Sequence, residues 1–341
     1  MSDKGTVLVT GGSGYIGGWC VAGLLQHGYA VRATVRDLAR EAEVRGAIAT
    51  VVDPGNRLSF HKAELMSDAG WDEAAAGCEY VLHVASPLGV AEPKDPDVLI
   101  KPAREGALRV LNAAIRAGVS RVVQTSSVAA TSPGERGPDS QSDETVWTDL
   151  TDPKVSTYAR SKTLAEKAAW DLVKSSGAKT TFATVNPALV LGPVMSRDFS
   201  DSVQVVERLM TGRVPGLPRL GFNVVDVRDV ADLHIRAMTA PEAGGQRFIA
   251  ARHWAWMADI ADLLRARLGA EAPRVPSRRV PDFVLRIAGI FDKELASVTG
   301  GLGRKRDFSS AKAQSTLGWS PRPLETTVLD CARSLIAKGV A

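Results

Sequence analysis

The sequence predicts an α/β fold in which a doubly wound parallel sheet has helices on both faces and a smaller lobe follows toward the C-terminus. Six short β-rich segments alternate with helix-length segments through the first half of the 341-residue chain, which is the pattern of a parallel sheet. The first of these segments runs directly into a glycine-rich turn and an apolar helix. After Asn186, proline and glycine become frequent, so we expect a less regular lobe there.

The predicted strands are apolar along most of their length, as expected of strands that are buried on both faces. They span residues 6–10, 30–36, 58–64, 80–86, 121–127 and 179–185. Residues 224–238 again read as a strand followed by an amphipathic helix. We therefore expect the chain to return to the main sheet at that point.

Composition is that of an ordinary globular protein, with 45% hydrophobic and 23% charged residues. The net charge of +4 comes from 42 basic and 38 acidic residues, so we expect no nucleic-acid partner. Cys20, Cys78 and Cys331 are far apart and lack metal-ligand spacing, which favours a reducing compartment. No apolar run approaches the ~18 residues of a membrane span and no signal-peptide pattern is present. We therefore expect a cytoplasmic protein without a membrane anchor.

The glycine-rich turn "TGGSGYIGG" indicates a dinucleotide site. Gly11, Gly14 and Gly17 follow a strand and precede a helix, where glycines allow the backbone to approach a pyrophosphate at the helix N-terminus. A purely structural turn is the alternative. The cofactor contacts predicted here are Gly11, Ser13, Gly14, Tyr15, Ile16 and Gly17.

The end of the second strand distinguishes NAD from NADP. An acidic residue there would bind the ribose 2′-hydroxyl of NAD, whereas an arginine accommodates the 2′-phosphate of NADP. Here Val35 is followed by Arg36, with Asp37 beside it as a competing carboxylate; we favour NADP(H). We assign residues 1–185 to an NADP-binding Rossmann domain, with 224–250 returning to it, and 186–223 and 251–341 mainly to a substrate-binding lobe.

Tyr158 and Lys162 are four residues apart in "STYARSK" and would share one face of a helix. A cation about 4 Å from a phenol would lower its pKa by roughly three units at an effective dielectric near 20. Taken alone, such a pair is more often an exposed tyrosine and a solvated lysine. His83 and His234 have no second ligand at suitable spacing, so we expect them to pack rather than bind a metal.

Together with "TSS" ending at Ser127, these motifs resemble those of the extended short-chain dehydrogenases/reductases. The likeness is to the branch of dihydroflavonol reductases, cinnamoyl-CoA reductases and microbial carbonyl reductases, through "GYAVRATVRD", "VLHVASP", "VVQTSSVAA", "VNPALVLGP" and "DVADLHIRAM". The resemblance implies that Ser127 hydrogen-bonds a substrate carbonyl and that Tyr158 gives it a proton. It also implies that Lys162 holds the nicotinamide ribose and lowers the pKa of Tyr158.

The same resemblance implies further cofactor contacts. Arg36 takes the place of the arginine that binds the 2′-phosphate, and Arg40 is our choice for the second basic residue. The remaining implied contacts are Ala85, Ser86, Pro187 and Val190 at the nicotinamide and Glu64 and Leu65 near the adenine.

The resulting hypothesis is an NADPH-dependent reductase of an aldehyde or ketone, working reversibly on a small molecule as a monomer or homodimer. A nucleotide-sugar epimerase or dehydratase is one alternative, although such enzymes usually have an acid where this chain has Val35. A cofactor-sensing protein without turnover is the other. Plant flavonoid reductases carry an asparagine where this chain has Ser132, which argues against a flavonoid substrate. We expect residues 131–149 and 194–222 to shape the substrate pocket.

Overall fold

Seven parallel strands form the central sheet of the protein, in the order β3-β2-β1-β4-β5-β7-β10. The computed structural model describes residues 4–87, 93–133, 140–291 and 299–341. Residues 134–139 of the predicted pocket loop therefore lie outside the described residues. The strands of the central sheet are β1 (Thr6–Thr10), β2 (Ala30–Val35), β3 (Leu58–Lys62), β4 (Tyr80–His83), β5 (Arg121–Thr125), β7 (Thr181–Pro187) and β10 (Gln246–Ala250). The predicted doubly wound parallel sheet is confirmed.

Several strands end earlier than predicted. The segments predicted as 80–86 and 121–127 stop at His83 and Thr125, and the polar or small residues that follow form loops at the carboxyl end of the sheet. Strand order reverses between β1 and β4, which opens a crevice at that end. The strand ends near this crevice are where a doubly wound sheet binds its ligands.

Helices cover both faces of the central sheet. The described helices are α1 (Tyr15–Gln26), α2 (Glu41–Ala49), α3 (Trp71–Ala75), α4 (Asp97–Arg116), α5 (Thr157–Ser176), α6 (Gln204–Met210), α7 (Val227–Thr239), α8 (Met257–Leu268), α9 (Asp282–Phe291), α10 (Ala311–Leu317) and α11 (Leu324–Ala337). Helices α4 and α5 pack together, and α1 packs against α7. None of the helices in the described part of the chain has the length and apolar character needed to cross a membrane.

Alternation along the strands builds two apolar cores, one on each face of the sheet. Val7 and Val9 of β1 pack with α1 and α7, whereas Leu8 between them packs with α3 and α4. Phe182 of β7 belongs to the second core, where its ring meets Trp170 edge-on at 4.6 Å. Burial on both faces explains why the strands are apolar throughout.

Two small sheets complete the fold. The first has the order β11-β9-β8, from β8 (Leu189–Leu191), β9 (Gly221–Asp226) and β11 (His253–Trp256); the second pairs β6 (Ser140–Ser142) with β12 (Arg306–Phe308). A third apolar core joins the three-stranded sheet to α6, α8 and α11. This is the smaller lobe.

The return of the chain to the main sheet differs in detail from the prediction. The strand expected at residue 224 is β9, which begins at Gly221 and pairs with β8 and β11 instead of the main sheet. The following helix α7 packs against β5 and β7, and β10 then adds to β7 as the edge strand. The strand belongs to the smaller lobe because its Val224 side chain is buried in the third core.

Candidate active site

The glycine turn after β1 closes tightly over the start of α1. Gly11 has a φ of +69° and donates its N–H to Thr34 Oγ1 at 3.1 Å, and the Gly14 N–H bonds the Gly11 carbonyl at 2.9 Å. A Cβ at Gly17 would overlap the Gly11 carbonyl oxygen. Among the described residues no side chain caps the amino end of α1. The turn thus leaves helix N–H groups directed at a cleft beside Ser13 and Gly14.

Two of the residues predicted at this turn use their side chains elsewhere. The Tyr15 hydroxyl donates to the Gly192 carbonyl at 2.8 Å, and Ile16 packs against the apolar core. Trp19 adds a second link from α1 to the same loop, from its Nε1 to the Pro193 carbonyl at 3.0 Å. Any contact of Tyr15 or Ile16 with a phosphate would therefore come from the backbone.

The end of β4 lies directly against the glycine turn. Thr10 Oγ1 accepts the N–H groups of Val84 and Ala85, both at 3.0 Å, and hydrogen-bonds His83 Nδ1 at 2.8 Å. A Cβ on Gly11 would come within 3.0 Å of the Ala85 Cα. Ala85 and Ser86 are half-buried at this crevice, so the structure brings them next to the predicted pyrophosphate site.

The two predicted basic residues after β2 differ in their surroundings. Arg36 is exposed and makes no ion pair with any residue in the described ranges. Asp37 caps the next turn by accepting the Ala39 N–H at 3.0 Å. Arg40 is ion-paired with Glu43 at 2.9 Å and with Asp198 at 2.8 Å. Arg36 is therefore free to meet an anion, whereas Arg40 already has two carboxylate partners.

Glu64 and Leu65 follow β3 at the same edge of the sheet. The Glu64 side chain is exposed, and its carbonyl accepts the Trp71 indole N–H at 3.1 Å. Leu65 packs so closely on Gly106 of α4 that a Cβ there would lie 2.7 Å from its Cδ2. The fold thus holds the backbone of this loop in place while the carboxylate of Glu64 remains accessible.

Ser127 and Tyr158 meet beyond the carboxyl end of β5. Helix α5 begins just before Tyr158 because Ser156 caps it, its Oγ accepting the Ala159 N–H at 3.2 Å. The Ser127 side chain acts on the Tyr158 hydroxyl and lowers the pKa of the phenol, against the effect of burial. Ser127 Oγ also accepts the Ala129 N–H at 3.1 Å, which fixes its position. The structure therefore brings two of the three predicted catalytic side chains together.

Lys162 completes the group from one helical turn further along α5. Only 7% of the residue is exposed, and its Nζ lies 5.7 Å from the centroid of the Tyr158 ring. Burial lowers the pKa of Lys162 to about 8, and the nearby Glu166 carboxylate opposes that shift. The Lys162 side chain thus lies near the tyrosine ring, at a buried site that disfavours the charged form of the lysine.

The prediction that Lys162 lowers the pKa of Tyr158 is wrong for this arrangement. Burial raises the pKa of the phenol, and the group that acts in the opposite direction is the Ser127 hydroxyl. A cation about 4 Å from the oxygen of an exposed phenol would lower the pKa of that phenol. In the folded chain desolvation dominates, because it penalises the phenolate.

Pro187 and Val190 lie where the main sheet passes into the smaller lobe. Pro187 is the last residue of β7 and Val190 lies in β8, and both are buried. The Ala188 N–H between them bonds the Ala250 carbonyl of β10 at 3.0 Å. Both residues are therefore at the carboxyl end of the sheet, on the side of the smaller lobe.

The buried histidines have structural partners. His83 bonds Thr10, and His234 Nε2 bonds Thr125 Oγ1 at 2.7 Å. Burial lowers the pKa of His83 to about 3 and that of His234 to about 4. Within residues 4–87, 93–133, 140–291 and 299–341, no group of three His, Cys, Asp or Glu side chains is arranged to hold a metal ion.

Sequence reasoning missed a buried polar cluster behind Ser127 and Lys162. Its centre is Glu166, which is 0% exposed and ion-paired with Arg247 at 2.6 Å. The Glu166 carboxylate accepts hydrogen bonds from Ser126 Oγ at 2.5 Å and from Asn186 Nδ2 at 2.9 Å. The spacing of Tyr158, Lys162 and Glu166 at every fourth residue was the one signal in the sequence that could have indicated it.

Comparison with known proteins places this geometry in a family. The family model for the NAD dependent epimerase/dehydratase family matches residues 7–251. This chain belongs to that family. The match spans the central sheet, the glycine turn and the group formed by Ser127, Tyr158 and Lys162.

The curated relatives of this family member are reductases. It is 35% identical to cinnamoyl-CoA reductase CAD2 of Medicago truncatula over 100% of this chain and 98% of that protein. It is 37% identical to dihydroflavonol 4-reductase of Hordeum vulgare, over 78% of this chain and 75% of the relative. These relatives confirm the predicted branch of extended short-chain dehydrogenases/reductases and the predicted class of oxidoreductase.

Solved structures of other proteins resemble this chain in fold. The yeast methylglyoxal/isovaleraldehyde reductase Gre2, solved as a complex with NADPH, superimposes with a TM-score of 0.81 at 25% identity, covering 98% of this chain and 100% of that chain. The prediction of NADP(H) as cofactor is in line with that complex. A UDP-glucose 4-epimerase of Thermotoga maritima reaches a TM-score of 0.73 over 97% of this chain and 99% of that one at 20% identity, a likeness of fold alone.

Proposed function

We propose that this protein reduces an aldehyde or ketone to the alcohol with NADPH, reversibly, with Tyr158 as the proton donor. The observation that carries the proposal is that the Ser127 side chain acts on the Tyr158 hydroxyl beyond the end of β5, with the Lys162 Nζ 5.7 Å from the centroid of the same ring. Two hydroxyls that meet at the carboxyl end of a parallel sheet can bind one carbonyl oxygen from two directions. The reductases among the relatives support the same class of chemistry.

The crevice of the sheet fits a dinucleotide phosphate. Gly11 and Gly17 leave no room for a Cβ between the turn and its neighbours, and the amino end of α1 faces the cleft. Such a turn binds a pyrophosphate through backbone N–H groups and the helix dipole. The exposed Arg36 would meet the 2′-phosphate, which is why we choose NADPH over NADH.

When bound, NADPH supplies the hydride, so the chain has to orient the carbonyl and provide a proton. Ser127 would donate a hydrogen bond to the carbonyl oxygen and stabilise the charge that develops there. Tyr158 retains its proton at neutral pH, because burial raises the pKa of its phenol, and would deliver it to the same oxygen. Lys162 would hold the ribose next to the nicotinamide.

The remaining parts of the chain have roles in the same proposal. Residues 1–185 and 224–250 would mainly bind the cofactor, and 186–223 and 251–341 the substrate, with strand β9 contributing to the substrate side.

We expect a monomer or homodimer. Cys20, Cys78 and Cys331 are unpaired and buried, which fits a cytoplasmic location.

A screen of NADPH oxidation tests the function. Aromatic aldehydes, aryl ketones and keto esters should consume NADPH in the presence of the wild type and not in that of Tyr158→Phe. UDP-sugars are included because an epimerase would convert them without net consumption of cofactor. If a UDP-sugar is converted and no carbonyl is reduced, the epimerase alternative replaces this proposal. If the protein binds the cofactor but turns over no substrate, the cofactor-sensing alternative replaces it.

A further inference from the structure

We propose that Glu166 is a positioning residue of this site, whose carboxylate fixes the Ser126–Ser127 segment and serves as the counter-charge of Lys162. The roles of Ser127 and Lys162 in this inference rest on the proposed function, while the contacts of Glu166 do not. The residue touches no predicted substrate or cofactor position, so it would act through its neighbours.

The contacts of the carboxylate lead directly to Ser127. Oε2 accepts Ser126 Oγ at 2.5 Å and Asn186 Nδ2 at 2.9 Å. The same Asn186 Nδ2 lies 3.2 Å from the Ser127 carbonyl, to which it also donates. The loop after β5 is therefore attached to α5 at two adjacent residues, one of them the predicted catalytic serine.

The other carboxylate oxygen accepts from three further side chains, one of them Trp170, whose Nε1 donates at 3.3 Å. Oε1 accepts Arg247 Nε at 2.6 Å and Thr184 Oγ1 at 3.2 Å. The loop after β5 and strands β7 and β10 thus each send a hydrogen-bonding side chain to one carboxylate on α5. A buried carboxylate with this many donors has a fixed position, and losing its charge would leave those donors unsatisfied.

Glu166 lies four residues after Lys162 on α5, so the two buried side chains are neighbours one helical turn apart. Burial lowers the pKa of Lys162, and Glu166 is the charge that raises it. From β4, His83 also faces Lys162, and the lysine charge contributes to lowering the pKa of that imidazole; His83 is accordingly neutral. On α5 itself the remaining neighbour is Tyr158, which is neutral at pH 7 because burial raises its pKa. Glu166 is therefore the anion that favours the ammonium form of Lys162.

A simpler role for Glu166 would be to neutralise Arg247. That guanidinium is 7% exposed, donates to the carbonyls of Glu144 and Val146 at 2.8 and 2.9 Å, and lies 3.7 Å from the centroid of the Trp147 ring. Removing Glu166 alone would leave this arginine buried without its anion, which is destabilising. The test therefore has to separate the partner of Arg247 from the counter-charge of Lys162.

The variants are Glu166→Gln, Glu166→Asp and the double variant Glu166→Gln/Arg247→Met, which removes both members of the ion pair. The measurement is an NMR titration of the Lys162 side chain, its signal assigned by its loss in Lys162→Arg. Beside it, the pH profile of kcat/KM is measured with NADPH and a carbonyl from the screen. Thermal unfolding of each variant reports whether the fold is intact.

We expect the Lys162 titration to move to lower pH by about one unit in both Gln variants, since an anion one turn away is lost from a buried site. The alkaline limb of kcat/KM should move with it, and Glu166→Asp should titrate near the wild type. A double variant that folds and titrates like the wild type would overturn the inference and leave Glu166 as the partner of Arg247. The titration needs no turnover, so it decides the role of Glu166 even if the wild type reduces no carbonyl and the proposed function fails.

Discussion

At the scale of single residues, the environment of Tyr158 suits this residue to donating a proton. Its phenol is buried, which raises its pKa, and the Ser127 side chain acts in the opposite direction. A tyrosine that keeps its proton at neutral pH can donate that proton to an oxygen as negative charge develops on it. The Lys162 Nζ lies 5.7 Å from the centroid of the Tyr158 ring, and the Ser127 side chain is the group that lowers the pKa of the phenol.

Replacing Tyr158 with phenylalanine should separate chemistry from binding. Phenylalanine keeps the ring that packs beside Lys162 and removes only the oxygen, so the Kd for NADPH should change little. Single-turnover reduction should slow by about 10²–10⁴, the usual loss for a positioned general acid. Lys162→Ala is the matched comparison, because it should weaken NADPH binding as well as turnover. A Tyr158→Phe enzyme with wild-type turnover would remove this residue from the mechanism.

Arg36 gives a second prediction at this scale. It is exposed at the end of β2 without an ion-pair partner among the described residues. Arg36→Ala should weaken NADPH binding by about 1.5–3 kcal/mol, the range for a charge-assisted hydrogen bond to a phosphate. The affinity for NADH should stay nearly the same. Calorimetry of the wild type and the variant with both cofactors provides the measurement, and equal wild-type affinities for NADH and NADPH would contradict the assignment.

At the scale of elements, the turn between β1 and α1 depends on the absence of a side chain. Gly17 lies in the first turn of α1, against the carbonyl of Gly11. Gly11 in turn approaches Ala85 at the end of β4. The turn after β1, the first turn of α1 and the end of β4 are therefore packed so closely that a methyl group would not fit between them. This close packing shapes the cleft at the N-terminus of α1.

Gly17→Ala should therefore disrupt the turn. Its Cβ would overlap backbone, which cannot move without shifting β1 from α1, so we expect a loss of stability of about 1–3 kcal/mol together with weaker NADPH binding. Gly46→Ala is the matched control, since Gly46 lies in α2 with nothing within 4 Å of an added Cβ. That change should stabilise the protein by about 0.5–1 kcal/mol. Urea unfolding and NADPH titration of both variants test the prediction, which fails if the two substitutions behave alike.

At the scale of the whole molecule, the fold buries two histidines that have hydrogen-bond partners. His83 and His234 lie inside this structure, 4% and 0% exposed, and hydrogen-bond Thr10 and Thr125. Burial holds their pKa values at about 3 and about 4, below the ordinary value of 6.5. Both imidazoles must gain a proton on unfolding in mild acid, which links the stability of the fold to pH.

Stability should fall as the pH is lowered through 6.5. The unfolded histidines bind protons below that pH while the folded ones do not until about pH 4 or 3, so their contribution is complete above 6.5 and is lost below it. Between pH 7.5 and 5.5 each should cost about 1.3 kcal/mol of unfolding free energy by linkage. His234→Gln should remove its share of the pH dependence. Urea unfolding at the two pH values measures it; an unchanged slope in His234→Gln would refute the linkage.

The sequence by itself determined the features that depend on short-range pattern. Apolar strands separated by helices led to the parallel sheet, and the glycine spacing led to the turn before α1. The spacing of Tyr158 and Lys162 along a helix and the position of Arg36 after β2 also follow from neighbours in the chain. Each of these is a local constraint on the backbone, which is why pattern alone reveals it.

Only the tertiary structure decided the electrostatics of the site and the placement of β9. Glu166 and Arg247 are 81 residues apart, and no local pattern joins them or adds Asn186 from a third element. The pKa of Tyr158 rises instead of falling because burial, which depends on every element packed around the phenol, outweighs the opposing effect of the Ser127 side chain. Strand β9 pairs in the smaller lobe because pairing between strands is a contact at long range, which the alternation of a single segment does not specify.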